Sequence, residues 1–463
     1  MRTNRENADF SQGSIASNVL RLAIPMFLAE LVNVLYNIVD RIYIGHIEGT
    51  GTVALTGVGV SLPLISLIAA FANLGSYGGA PLCSIARGEG NTQKASGIQD
   101  TCFTLFLLFS LVLTVLLRVF RRPLLTLLGG TEETLPYALE YFGIYVWGTV
   151  FSVISLGMNA FINMQGAPRV AMGTVLIGAG ANIVLDPIFI FAFGMGAGGA
   201  ALASVISQAI AALWAILFLT GKKCILPIRR LRIEKQYLSS IFKLGVTGFC
   251  FKVTNSIVQA AANMTLRAWG GALSTLYIAA MSVIGSVREV VMLPVFAFSN
   301  GAQPFMGYNY GAGLYKRVHD CIRFDTGLIL SINLVLWGVL MLFTKALVGL
   351  FTDDTELIAL CVPCFRIYFA CYFTMTFQNI GQSTFVALNR PKYALFFSLF
   401  RKVFLVLSLT LLLPGLGLGV KGVFWAEAIS EIVGGIACYI TMQATVGKEL
   451  RMKSRLLPAD GQQ

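Results

Sequence analysis

The chain has 463 residues, 56% of them hydrophobic and only 12% charged, with a mean hydropathy of +0.76. Such a composition excludes an ordinary water-soluble domain and sets most of the surface against lipid. The net charge of +12 does not point to a nucleic-acid partner, because the lysines and arginines alternate between loops instead of forming one patch.

A bilayer core about 30 Å thick takes roughly 20 apolar residues as a helix. Twelve runs meet that length, at 18–44, 53–83, 98–119, 135–162, 168–193, 199–220, 241–267, 275–306, 321–343, 357–388, 393–413 and 420–446. The first contains Glu30, Asp40 and Arg41 and lacks a small-residue cleavage pattern, so it is expected to be a retained span and not a removed signal. In it Asn33, Tyr36 and Asp40 are spaced by three and four, which puts them on one helix face. The second ends in GGAPLCSIARGEG, whose GEG is too small for a phosphate loop. The fourth contributes Asn159 and Asn163. The fifth contains ANIVLDPIFIF, where Asn182 and Asp186 are four apart and Pro187 removes a backbone donor, predicting a kink. The sixth supplies Ser204, Ser207 and Gln208.

From the seventh span onward both signs of charge are embedded: Lys252, Arg288, Glu289, Arg366, Arg401, Lys402, Glu427 and Glu431. Internal ion pairs are expected there, with Lys252 or Arg366 neutralised by Glu289, Glu427 or Glu431, in preference to a second coupling site. Cys361 and Cys364 form a CxxC without a second pair or a nearby histidine, so packing is the better reading than zinc or redox chemistry. The two histidines, His46 and His319, are assigned to loops. No embedded histidine, serine and acid constellation suggests an enzyme.

With Arg2 and Arg5 in the cytoplasm, the cytoplasmic loops carry Arg87, Lys94, Arg169, the run from Lys222 to Lys235, Lys316, Arg317, Arg323, Arg390 and Lys392, and the tail adds Lys448, Arg451, Lys453 and Arg455. The opposite side holds far fewer, among them Arg118, Arg121, Arg122 and Lys345. This bias predicts a multi-pass protein of the cytoplasmic (inner) membrane with both termini cytoplasmic.

One shift, 223 residues, relates the two halves. Pro81 falls on Pro304 and Pro168 on Pro391; Gly78, Gly88 and Gly90 fall on Gly301, Gly311 and Gly313, and Gly194, Gly196 and Gly199 on Gly417, Gly419 and Gly422. Six spans separate equivalent positions, so the halves enter from the same side, as parallel repeats about a pseudo-two-fold axis along the membrane normal. The expected fold is all-α, twelve transmembrane helices in two six-helix lobes. Residues 1–221 form the first lobe, 222–240 a basic cytoplasmic linker that lies on the membrane surface, and 241–463 the second lobe with a short tail.

Under the same shift Asp40 meets Asn263, Asn182 meets Leu405 and Asp186 meets Leu409, so both acids belong to the first half alone. A carboxylate at mid-membrane costs on the order of 3 kcal/mol. A lone acid could hold helices together through a neighbouring hydroxyl. Two that converge from separate helices would instead take up a proton or bind a small cation.

PMFLAELVNVLYNIVDRIYIG in the first span, GGAPLCSIARGEGNTQKA after the second, NMQGAPRVAM after the fourth and ANIVLDPIFIF in the fifth resemble the MATE (multidrug and toxic compound extrusion) transporters. The resemblance covers essentially the whole chain. It implies a V-shaped cleft between the lobes and export of cationic amphipathic compounds driven by inward flow of H+ or Na+. By motif position, Asp40, Asn182, Asp186 and Ser204 match the family's ion-coupling site, a possible Na+ site; Pro25 and Tyr36 match residues beside it, and Asn33 and Asn159 are further substrate-binding candidates. Lys252 stands where the NorM branch carries an acid, and FTMTFQN has none in the tenth span. The resemblance is therefore nearer to DinF-like and MepA-like branches. The expected partners are an organic cation and the bilayer, with no resident cofactor and no nucleic acid, and the working unit is expected to be a monomer. The alternatives are an exporter or flippase of a lipid-linked sugar or metabolite, a channel, or a membrane enzyme.

Overall fold

The computed structural model describes residues 9–47 and 50–456, the side chain of Lys252 excepted. Arg2 and Arg5 thus lie outside the described residues. Among those described there is no strand, and twelve helices are long and apolar enough to cross a bilayer. They are α1 (Ile15–Gly45), α2 (Gly51–Gly88), α3 (Thr92–Leu127), α4 (Leu135–Met164), α5 (Pro168–Ala192), α6 (Gly196–Thr220), α7 (Lys235–Trp269), α8 (Gly271–Gly311), α9 (Tyr315–Leu342), α10 (Thr355–Ala387), α11 (Pro391–Leu412) and α12 (Lys421–Leu456). Each corresponds to one expected span, and six of them (α2, α3, α7, α8, α9 and α12) run past it by a turn or more, because their ends continue beyond the apolar stretch. His319 accordingly lies on the first turns of α9 and not in a loop.

The helix ends follow local chemistry. Asn91 caps α3 by accepting from the Lys94 backbone N–H at 2.9 Å, and Asp354 caps α10 through the N–H groups of Glu356 and Leu357. Pro168 and Pro391 open α5 and α11, where a missing N–H costs nothing. The repeat is written into the backbone as well. Gly90 (φ 73°) and Gly313 (φ 76°) follow the ends of α2 and α8 in the left-handed region, and Gly196 (φ 53°) at the start of α6 and Gly419 (φ 52°) just before α12 likewise take positive φ. An outward stripe on α3, Leu108, Leu111, Val112, Val115 and Val119, is exposed, as a lipid-facing surface must be.

The chain divides into two compact units. The first contains Ile24–Phe249 with the described residues up to Gln12; the second contains Gly13–Ala23 and Cys250 onward. The start of α7 therefore packs with the first six helices, and the start of α1 with the last six. Glycine explains both assignments. A Cβ on Gly78 would overlap the carbonyl of Ile241, and one on Gly245 would overlap that of Leu74, so α2 and α7 approach backbone to backbone. Gly301, the repeat equivalent of Gly78, sits in the same way against Ala23.

The linker is also bound to the first unit. Gln165 Oε1 accepts from the backbone N–H groups of Ile225 (3.1 Å) and Leu226 (3.0 Å) and from the Cys224 thiol, while its amide donates to Gln99. Gln99 in turn donates to the Leu226 carbonyl at 2.7 Å, and Thr101 accepts from Glu234 N–H at 3.1 Å. These bonds satisfy buried polar groups of irregular chain that would otherwise be orphaned.

Candidate functional site

Four helices of the first unit supply one polar cluster in apolar surroundings. From α5, Asp186 is fully buried and Asn182 nearly so. Their spacing of one turn aligns them, and Asn182 Nδ2 donates to Asp186 Oδ1 at 3.1 Å and lies 3.5 Å from Ser204 Oγ on α6. Just past Asp186, Pro187 leads into a wide π turn over Ile188–Ala192, the local distortion expected from the lost donor. From α1, the carboxyl group of Asp40 comes within hydrogen-bonding reach of Asp186, with Tyr36 beside both acids.

Among the described residues neither acid has an ion-pair partner; Arg41, next to Asp40 in the chain, is exposed and acts on it only as a nearby charge. Asp40 Oδ1, Asp186 Oδ2, Asn182 Oδ1 and Gln208 Oε1 are buried without a donor. Buried oxygen lone pairs left in this way cost about 1–3 kcal/mol each, more for a charged group. Two carboxyl groups in contact, with spare amide oxygens around them, can meet that cost by holding a proton or a small oxygen-seeking cation.

The remaining candidates are spread along the elements. Asn33 is two turns from Asp40 and engages Asn37, whose amide donates to the Asn33 carbonyl at 2.6 Å. Pro25 lies about four turns from Asp40 on α1. Asn159 and Asn163 on α4 each hold a buried side-chain oxygen without a donor. Two residues of the cluster escape sequence reading: Tyr141 and Tyr145 of α4. Their rings stack at 5.9 Å; Tyr141 is hydrogen-bonded to Ser204, and Gln208 donates to the Tyr145 hydroxyl at 2.9 Å. The signal was available in YFGIY, two tyrosines one turn apart in a membrane span.

A family model, MatE, matches the chain twice, over residues 25–188 and 253–412. The chain belongs to the MatE family. Among its relatives is the multidrug export protein MepA of Staphylococcus haemolyticus (strain JCSC1435), 26% identical over 353 residues, which is 76% of this chain and 76% of that protein. MepA of Staphylococcus aureus (strain NCTC 8325 / PS 47) is 22% identical over 435 residues, 93% of this chain and 94% of the relative. A MATE crystal structure in a bent conformation superposes with a TM-score of 0.89 at 21% identity, covering 97% of this chain and 99% of that one. So does a MOP superfamily transporter of Pyrococcus furiosus, described as having a binding pocket of reverse polarity that suggests a different function. Its TM-score is 0.89 at 20% identity, with 96% and 98% covered. The fold is thus that of the MATE transporters, and the MepA-like branch is supported.

In the second unit of this MatE chain the charges pair differently from expectation. Arg366 and Glu289 are exposed and form no ion pair among the described side chains. Glu427 of α12 is the hub: its Oε1 receives Arg288 of α8 at 2.6 Å, Arg401 of α11 at 2.6 Å and Lys402 of α11 at 3.3 Å. Internal ion pairs are present as expected, but Arg366 takes no part because it is exposed, and the Lys252 side chain lies outside the described residues. The two α11 residues that pair, Arg401 and Lys402, are consecutive and both buried within a π turn over Phe400–Leu407.

Proposed function

We propose that the protein exports cationic amphipathic organic compounds in exchange for H+ or Na+, with Asp40 and Asp186 as the coupling pair. One observation carries the reading: two carboxyl groups from different helices, Asp186 buried and Asp40 half-buried, come within hydrogen-bonding reach of each other, and among the described residues neither has an ion-pair partner. When ionised they attract a positively charged cargo. When a proton or sodium ion enters, the negative charge is cancelled and the cargo loses its partner. Exposure of the pocket to the two membrane faces in turn then converts competition into antiport. The difference in affinity is reciprocal, because linkage requires each ligand to weaken the other by the same factor. The MepA relatives, named multidrug export proteins, support the cargo class. Tyr36, Tyr141 and Tyr145 supply aromatic faces that suit an organic cation.

The test is efflux of a panel of cationic dyes from proteoliposomes under pH and sodium gradients imposed separately. Dye movement driven by either gradient supports the reading and identifies the ion. Ion flux without dye, or dye movement indifferent to both gradients, defeats it.

A further inference from the structure

The buried cluster of the second unit is framed by the repeat equivalents of the residues that frame the acid pair in the first. Glu427, Glu431 and Tyr368 stand 223 residues after Ser204, Gln208 and Tyr145. In the first unit those three positions frame Asp40 and Asp186. In the second they frame Arg288, Arg401 and Lys402, with the Arg288 guanidinium donating to the Tyr368 hydroxyl. The sixth helix of each repeat thus presents the same face to an ionisable pocket, and the fifth carries a π turn beside it in both.

The charges in this second pocket do not balance. Three cations meet two carboxylates, at side-chain exposures of 2–5% for Arg401, Lys402, Glu427 and Glu431. A single Glu427 oxygen serves all three cations, Glu431 is 3.9 Å from Arg401, and both Arg401 Nε and Glu431 Oε2 are buried without partners. One uncompensated charge in a low-dielectric interior is costly. Guanidinium groups keep their protons, so neither arginine can relieve it, whereas an amine can. Lys402, held by the longest contact to Glu427, is the amine. Facing it are Arg401 from its own helix, Arg288 from α8, and Glu427 and Glu431 from α12, while Tyr368 and Tyr372 from α10 lie against Arg288 and Glu431.

We propose that Lys402, framed by Glu427 and Glu431, is a second proton-exchange site, set against the same face of its repeat's sixth helix as the aspartate pair is in the first, which alternates between ammonium and free amine as the cluster gains and loses one proton. No cavity is needed for this ligand, in keeping with the close packing of the cluster. The site stands apart from the antiport reading: dye transport could fail in vesicles while Lys402 still exchanged its proton, and the reverse.

The experiment uses the full chain in detergent micelles with lysine labelled at 13Cε and 15Nζ, followed from pH 5 to 9. One lysine resonance is expected to move between ammonium and amine positions, to be missing in Lys402→Arg, and to change its midpoint in Glu431→Gln, where Lys402 is retained and folding is not at risk from loss of the cation. In parallel, Lys402→Arg is expected to flatten the pH dependence of the melting temperature, where a purely structural lysine would shift it equally at every pH. If the Lys402 resonance stays at the ammonium position throughout, the cluster is a fixed ion pair and the proposal falls. It falls equally if that resonance follows chloride or phosphate concentration at constant pH, because the site would then be one for anions.

Discussion

Replacing Asp186 with asparagine separates the charge of the coupling pair from its shape. Asparagine fills the same volume, its carbonyl can still accept the Asn182 amide that lies 3.1 Å from Asp186 Oδ1, and its own amide can donate to Asp40, which has an oxygen without a donor. Folding should therefore be preserved. Binding of the coupling ion should not. At an effective dielectric constant of about 20, a cation about 4 Å from a carboxylate gains about 4 kcal/mol. Losing one of two such partners weakens ion affinity by about a thousandfold. Proteoliposomes carrying Asp186→Asn, assayed with a cationic dye under the gradient that drives the unmodified protein, are expected to show no ion-driven efflux at unchanged melting temperature. Wild-type rates from a well-folded Asp186→Asn protein would refute the coupling role assigned to the pair.

Asn182→Leu removes the one donor to Asp186 Oδ1 and should cost about 1–3 kcal/mol, read as a lower melting temperature together with weaker transport. Ser204→Ala removes the 3.5 Å contact to Asn182 and the bond to Tyr141 but leaves the Asn182 bond to Asp186 in place, and its effect should be the smaller of the two; the opposite order would show that Asn182 does not orient the acid. Gly245→Val forces a side chain into the Leu74 carbonyl and is expected to destabilise by about 1–3 kcal/mol, whereas Gly59→Ala, with no atom within 4 Å of the added methyl, should be neutral or slightly stabilising. Equal melting temperatures for the two glycine variants would dispose of the backbone-contact account of α2 and α7. Gln165→Leu removes the acceptor for Ile225 and Leu226 N–H, so limited trypsin digestion should cut the linker between Lys222 and Arg232 several times faster, with the helices intact. An unchanged cleavage rate would mean that Gln165 does not hold the segment.

The sequence by itself determined the number and approximate places of the helices, the internal repeat and the exceptional character of Asp40 and Asp186. Lipid makes this possible: it demands a long apolar run for every crossing, and the cost of an embedded acid marks it out whatever its neighbours. Asn182 and Asp186 were legible as a pair because four residues make one helical turn. Which helix faces meet was left to the tertiary structure. Tyr141 and Tyr145 join the acids because α4 crosses beside α6, and nothing in their own segment specifies that crossing. Glu427 took Arg288, Arg401 and Lys402 in place of Arg366 because Arg366 is exposed on α10 while the other three converge from α8 and α11, a convergence that the periodicity of single helices does not encode. The starts of α1 and α7 joined the opposite units through glycine contacts whose partners lie far away in the chain. Hydrophobic length is a local property of the chain, whereas charge pairing and close backbone approach are properties of two surfaces, so only the folded protein could decide them.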